Sequence, residues 1–244
     1  MMNFDLKFYE KEIKPLLNNH DAENWSIEFE RGVENYLKRI NKIGLDLEGA
    51  ILDAGGGAGN WSIPLSTVNK HVDLVDIADG RLLIAHQMCR QLSIENITLR
   101  HMSIEKMVFP NQHFDAILCY SVIMFTNVEK TLNEFFRVLK PGGRLYIQAD
   151  LWRWYFGQGL CAKTNKTNYL TKFLLKKLIF GKPILLTQKS FKSMIEKAGF
   201  ELVGIGQDGE TSFDFDSKSL SVKSFYEPRT VGREEIIEVC ATRI

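Results

Sequence analysis

Two aspartates and the glycine run between them are the residues of this chain best suited to chemistry. The run reads Ile51-Leu52-Asp53-Ala54-Gly55-Gly56-Gly57-Ala58-Gly59-Asn60. An apolar strand ending in Asp53 feeds directly into a glycine loop, and a helix follows. Glycines in that place let the chain turn tightly and bring backbone N–H groups close to a ligand. The dinucleotide fingerprint GxGxxG does not fit, because its last position, counted from Gly55, holds Asn60. A triphosphate loop is excluded, since no Gly-Lys-Ser/Thr follows. The spacing is Asp-x-Gly-x-Gly-x-Gly instead. Asp76 closes the next apolar stretch, Val72-Asp73-Leu74-Val75-Asp76. At the carboxyl edge of a parallel sheet this carboxylate would stand beside the loop, where it can accept both hydroxyls of a ribose or simply begin a turn.

Other reactive side chains are scattered. The five histidines (His20, His71, His86, His101, His113) do not cluster at metal-ligand spacing, and no metal site is expected. The four cysteines (Cys89, Cys119, Cys161, Cys240) form no CxxC pair, which fits reduced thiols.

These residues need a scaffold, and the hydrophobic pattern supplies one. Short apolar runs at Ala50–Asp53, His71–Asp76, Ile97–His101, Phe114–Tyr120 and Arg144–Ala149 alternate with helical stretches at Trp61–Val68, Gly80–Gln91 and Val128–Leu139. Pro141-Gly142-Gly143 is expected as a turn into the fifth strand. A helix at Ser190–Ala198, a Gly199 cap, a strand at Phe200–Ile205 and a last strand at Glu234–Thr242 follow. Phe29, Val33, Tyr36 or Leu37, and Ile40 recur at helical spacing, with Gly44 as a stop. The expectation is one α/β domain over 1–244: a doubly wound, mostly parallel seven-stranded sheet with helices on both faces. Residues 1–44 form an N-terminal helical cap, and residues 151–188 form an insertion after the fifth strand.

With these motifs in order, the chain resembles the class I S-adenosylmethionine (AdoMet)-dependent methyltransferases, in the branch that includes quinone-biosynthesis enzymes. Ile51–Gly59 resembles the first family motif, and Asp76-Ile77 the ribose-binding acid and its apolar neighbour. Phe114–Tyr120 is similar to the fourth strand, Leu132–Gly143 to the entry of the fifth, and Phe191–Phe200 to the next helix. The resemblance covers about residues 45–150 and 187–206. It implies that Asp53, Ala54, Gly55, Gly56 and Gly57 line the methionine end of the cofactor, Asp76 the ribose, and Ile77 the adenine. The family often has an Asp for the adenine amino group where Ser103 stands here, followed by Ile104. Cys119 would contact the cofactor through backbone or sulfur.

The implied reaction is transfer of the methyl group to a small-molecule acceptor by direct displacement, so alignment and exclusion of water are the protein's main tasks. Tyr120 would face the transfer zone, either bonding the acceptor or filling the pocket. Asp150 is on the right edge to act as a base, or to be a solvated turn carboxylate. Trp152, with Trp154, Tyr155 and Phe156, suits a pocket wall or a core, and Trp25 could close the opposite side. Two rivals stay open: an RNA methyltransferase, although Cys119-Tyr120-Ser121-Val122 stands where a base-flipping Asn-Pro-Pro-Tyr motif would be, and a catalytically idle AdoMet-binding module.

Composition adds one local feature. The 244 residues are 45% hydrophobic with a formal net charge of +1, which fits an ordinary globular chain and excludes a uniformly basic one. Residues 151–200, however, carry ten Lys and Arg against one acidic residue. Within them, 169–180 reads as a basic amphipathic helix: a lid, a peripheral membrane contact or a nucleic-acid face. An anionic acceptor would be met there. The first twelve residues lack the apolar core of a signal peptide, so a cytoplasmic location is expected.

Overall fold

The structure is a computed structural model that describes residues 32–151, 186–213, 225 and 236–244. Trp25, Trp152, the neighbouring aromatics and the basic amphipathic stretch expected over 169–180 lie outside the described residues, as does most of the cap.

Helix α1 (Val33–Ile43) buries a stripe of Tyr36, Arg39, Ile40 and Ile43, spaced so that all four share one face. Gly44 ends it in the left-handed conformation, its N–H reaching back to Asn41 and Ile40 carbonyls. Strand β1 (Ala50–Ala54) is followed by α2 (Ser62–Val68), β2 (His71–Asp76), α3 (Asp79–Gln91) and β3 (Ile97–His101). Then come β4 (Phe114–Tyr120), a 3-10 turn (Ile123–Phe125), α4 (Val128–Val138), β5 (Leu139–Asp150), α5 (Gln188–Lys197), β6 (Phe200–Gly206) and β7 (Ile236–Arg243).

One sheet joins the seven strands in the order β3-β2-β1-β4-β5-β7-β6. The first five are mutually parallel, and β7 runs antiparallel to both β5 and β6. The doubly wound, mostly parallel seven-stranded expectation is therefore met. Central strands are buried on both faces, as continuous apolar runs require. Alternate residues feed two cores. Leu52, Ala54, Ile117, Cys119, Leu145, Ile147 and Val239 belong to one, and Ile51, Leu118, Tyr146 and Cys240 to the other, with Tyr36, Ile40 and Ile43 of α1. Full burial of each Leu or Ile contributes roughly 1.5–3 kcal/mol over exposure.

One local expectation is revised. Pro141-Gly142-Gly143 is not a turn ahead of the fifth strand but lies inside β5. Phe114 pairs with Leu139 and Ala116 with Arg144, so residues 140–143 bulge opposite Asp115. Gly142 absorbs the bend at φ 73°, and Lys140 Nζ donates to Asp115 at 2.6 Å. Among the described residues, no helix is long and apolar enough to cross a membrane.

The strand order reverses between β2-β1 and β4-β5. Their carboxyl ends form the crevice in which open α/β sheets hold ligands, and the glycine loop opens there.

Candidate functional site

The loop after β1 is tied down by its own backbone. The N–H groups of Gly55 and Gly56 both donate to the Val75 carbonyl, at 2.7 and 3.2 Å, and Gly59 N–H donates to the Gly56 carbonyl at 2.9 Å. Gly55 sits at φ 83°, and a Cβ there would stand 2.6 Å from the Val122 side chain. Gly57, at φ 56°, is different: among the described residues a Cβ would meet only Arg81 Cδ at 3.7 Å and Asp76 Oδ2 at 4.0 Å. The loop thus has a closed side against Val122 and an open side toward Asp76.

Asp76 faces that open side and is nearly buried. Gly57 N–H donates to its Oδ2 at 3.0 Å, and Ala78 N–H to its Oδ1 at 2.8 Å. Each carboxylate oxygen retains acceptor capacity for a ribose hydroxyl. Beside it, Ile77 is 71% exposed, an apolar surface of the sort a planar base covers.

Asp53 is the buried acid of the site. Ser62 Oγ donates to its Oδ2 at 2.6 Å. Burial pushes its pKa up to about 7, opposed by the Ser62 hydroxyl and assisted by the charge of Asp76. A cationic ligand group nearby would return it to the carboxylate form.

The remaining cofactor-side residues differ from one another. Ser103 is exposed, and its Oγ accepts the Glu105 N–H at 3.2 Å. Ile104 is buried in the core, so only its backbone can face a ligand. The Cys119 thiol is also in that core, where burial and the nearby Asp53 charge raise its pKa. Of the two contacts expected for Cys119, only the backbone one is compatible with this placement.

On the other side of the crevice, register places Tyr120 of β4 opposite Gln148 of β5, and Gln148 opposite Glu238 of β7. Asp53 leaves the sheet on the same face, since its partner Leu118 precedes Tyr120 by two. Asp150, the last residue of β5, is half-buried, with its pKa raised to about 7 by burial, opposed by Gln148 and assisted by Asp208. It is not the freely solvated turn carboxylate that the sequence allowed. Gln148 Oε1 accepts the Ser121 hydroxyl at 2.6 Å, which turns its Nε2 toward Asp150 at 3.4 Å. Ser121 holds a left-handed φ of 57°, a costly conformation for a non-glycine residue.

Several residues of this region were not read from the sequence as site residues. Trp61 and Phe225 flank the Tyr120 ring at 4.8 and 6.3 Å, and Tyr36 meets both of them at 4.9 Å. Beneath them Arg39 is fully buried between Asp208 and Glu238. Tyr146 donates to Glu238, as does Thr211 Oγ1 at 2.9 Å. Burial opposes the Arg39 charge, but Tyr146, Glu238, Tyr120 and Asp208 outweigh it and raise its pKa. Burial lifts the Glu238 pKa although Arg39 opposes the rise. A signal existed for two of these. Arg39 falls on the apolar stripe of its helix, and Glu238 is a lone acid inside Ile236-Ile237-Glu238-Val239-Cys240. Asp208, in a loop, offered none.

No group of three or more His, Cys, Asp or Glu able to hold a metal occurs among the described residues. A doubly wound sheet with a glycine loop at its switch point and an acid ending the next strand defines a nucleoside-binding α/β protein. The family described as "Methyltransferase domain" matches residues 51–143. The ubiquinone/menaquinone biosynthesis C-methyltransferase of Vibrio cholerae is 28% identical over 197 residues, covering 70% of this chain and 72% of that protein. The enzyme of the same description from Psychromonas ingrahamii is 32% identical over 123 residues; the alignment spans 48% of this chain and about half, 49%, of that relative. In fold the chain is similar to the geranyl diphosphate C-methyltransferase of Streptomyces coelicolor (TM-score 0.60, 15% identity, 100% of this chain and 86% of that one). It is also similar to the [4+2]-cyclase SpnF (TM-score 0.59, 15% identity, 84% and 78%). The chain is thus similar to the class I AdoMet-dependent methyltransferases, and the loop, Asp53 and Asp76 fit the cofactor of those proteins.

Proposed function

We propose that this protein methylates a carbon atom of a quinol-type aromatic ring, using AdoMet. The observation that carries the reading is similarity to C-methyltransferases over most of the chain, with the glycine loop, Asp53 and Asp76 all in place. When bound, the cofactor supplies a methyl group activated by a positive sulfur. A ring carbon would take that methyl as the S–CH3 bond breaks, and the ring proton it displaces would need an acceptor among the residues of the crevice. In this reading Ala54–Gly57 and Asp53 hold the amino-acid end, and Asp76 takes the ribose hydroxyls. Ile77 covers one adenine face, while Ser103 and the backbone of Ile104 meet its edge and the backbone of Cys119 closes the floor. Tyr120 and Asp150 face the acceptor, and Asp150, poised near neutrality, receives the departing proton. Residues 151–200 supply positive charge for an anionic substituent, and Trp25 and Trp152 are proposed walls. All described strands join one sheet, which supports a single domain; a cytoplasmic location without nucleic-acid contact completes the proposal.

This fold also serves a [4+2]-cyclase, so turnover and not binding decides the matter. The test is anaerobic incubation with methyl-labelled AdoMet and 1,4-dihydroxynaphthalene, with product read by mass and carbon NMR. Label on a ring carbon is the expected result. Cofactor binding with no methylated ring, or label on oxygen, would overturn the reading.

A further inference from the structure

The connection from β3 to β4, residues 102–113, has no helix or strand of its own, yet it is tied down at several points. Ile104, Met107 and Phe109 turn into the core, which suffices to keep such a connection on the body of the protein. Two side chains of α4 add a polar clasp. Glu134 and Arg137 are neighbours on one face of that helix. A guanidinium has five N–H groups, and each one of Arg137 has an acceptor. Nε donates to Glu134 Oε1 at 2.9 Å, Nη1 to the Phe109 carbonyl at 2.7 Å and to Asn111 Oδ1 at 3.1 Å, and Nη2 to the Met107 carbonyl at 3.0 Å and to Glu134 Oε2 at 2.8 Å. Glu134 Oε2 also accepts the Met107 N–H at 2.9 Å. Met107 is thus gripped through both its N–H and its carbonyl.

Upstream of the clasp the chain passes Asp76. Strand pairing sets Asp76 opposite His101, and Met102 N–H donates to the Asp76 carbonyl at 3.1 Å. Ser103 follows, exposed at the same edge of the sheet as Asp76 and Ile77. Its Oγ accepts the Glu105 N–H at 3.2 Å, and its carbonyl accepts the Lys106 N–H at 3.3 Å. Glu105 is tied in turn, because its Oε1 accepts the Asn127 N–H at 2.9 Å, just ahead of α4. Ser103 and Ile104 are therefore held between Asp76 on one side and α4 on the other. Among the described residues the Ile104 N–H has no hydrogen-bond acceptor. A backbone N–H cannot reverse its role. It favours a ring nitrogen with a lone pair, such as N1 of adenine, and opposes the N–H found at N1 of a 6-oxopurine. A donor discriminates in this way only while its loop cannot shift aside.

We propose that Glu134 and Arg137 are positioning residues for base selection: by clasping the connection they hold the Ile104 N–H and the Ser103 hydroxyl at the adenine edge before the cofactor arrives. This rests on the reading above that those two residues meet that edge, and it gives the edge a support on a neighbouring helix.

The test compares two ligands that differ only in the base, S-adenosylhomocysteine and its 6-oxo analogue S-inosylhomocysteine, by calorimetric titration. Wild type should prefer the adenine form on the order of tenfold, the worth of one hydrogen bond with its opposed counterpart. Arg137→Lys keeps the charge but has three donors and no planar fork. Glu134→Gln keeps the shape but loses an acceptor oxygen. Each should cut the preference to about threefold or less, by weakening the adenine form more than the 6-oxo form. Exchange of the Met107 amide should quicken in both. A clasp that only supports the fold would lower the melting temperature and leave the ratio of affinities unchanged. That result overturns the inference and leaves the adenine-edge reading standing. Wild type that binds both ligands equally overturns the edge reading and the inference with it, and wild type that binds neither overturns the AdoMet reading as well. Should Arg137→Lys fail to fold, Glu134→Gln decides by the same ratio.

Discussion

Gly57 N–H donates to Asp76 Oδ2 at 3.0 Å, so the loop after β1 and the acid ending β2 are one unit. The same carboxylate holds Ala78 N–H through its other oxygen, at 2.8 Å. Asp76 thus shapes the backbone after both β1 and β2 besides offering oxygens to a ligand. Replacing it acts twice, on the shape of the loop and on the contact itself.

Asp76→Ala should therefore weaken AdoMet binding by about a hundredfold, a loss of roughly 2.7 kcal/mol. Asp76→Asn retains one acceptor oxygen and should fall between. Calorimetric titration with AdoMet measures both. Wild-type affinity in the alanine variant would remove Asp76 from the site.

Gly55→Ala tests the closed side of the loop. The new Cβ would meet Val122 at 2.6 Å and would sit at φ 83°. Overpacking of this kind costs about 1–3 kcal/mol, and the positive φ adds about 1–2 kcal/mol. The melting temperature should drop by several degrees and AdoMet affinity should fall. Adding Val122→Ala relieves the contact but not the backbone, so the double variant should recover only part of the loss. Full recovery would show that the backbone angle is unimportant.

Much of this architecture was legible in the chain because glycines, prolines and apolar runs punctuate it locally. His71–Asp76, Ile97–His101 and Phe114–Tyr120 have the expected limits, β1, β6 and β7 shift by a residue or two, and β5 begins five residues early, at Leu139. The expected turn at Pro141-Gly142-Gly143 failed because pairing of Leu139 with Phe114 drew the strand past it. Asp53 and Asp76 were found because a loop links them to glycines nearby in sequence. Arg39, Asp208 and Glu238 are separated by 169 and 199 residues from partner to partner, and tertiary folding alone unites them. Periodicity puts Arg39 on the buried stripe of its helix, but nothing local shows which distant acids it meets there.

The two raised carboxylates set the pH profile of stability. Asp53 and Asp150 each have folded pKa values of about 7 against a reference of 3.8. Their folded-state pKa values are raised, so the native state binds the extra protons. That contribution is fully present below about pH 4 and is lost as pH rises through 7. Asp115 and Glu134 are lowered, by Lys140 and Arg137 respectively, although burial opposes both. Their contribution is lost as pH falls below about 4. The melting temperature should accordingly peak near pH 4, decline as pH rises from there to about 7, and level off above. Asp53→Asn should flatten that decline. A melting temperature that climbs steadily from pH 5.5 to 8 would contradict the raised values.

The same proton governs cofactor binding. Asp53 is buried, with Ser62 donating to it at 2.6 Å and the charge of Asp76 nearby. Its pKa of about 7 leaves it half protonated at neutrality. AdoMet carries positive charge on its sulfonium and ammonium groups, and either one near Asp53 favours the carboxylate. Binding must then expel a proton wherever Asp53 is protonated. Affinity should fall as pH drops below 7, approaching tenfold per pH unit where coupling is complete. Calorimetry at pH 6.5 in buffers of different ionisation enthalpy should reveal release of up to about one proton per AdoMet. Asp53→Asn should bind more weakly at pH 8 and release no proton through this site. Asp150 has a similar pKa but stands at the end of β5, so proton release that persists in Asp53→Asn and disappears in Asp150→Asn would transfer the linkage to Asp150.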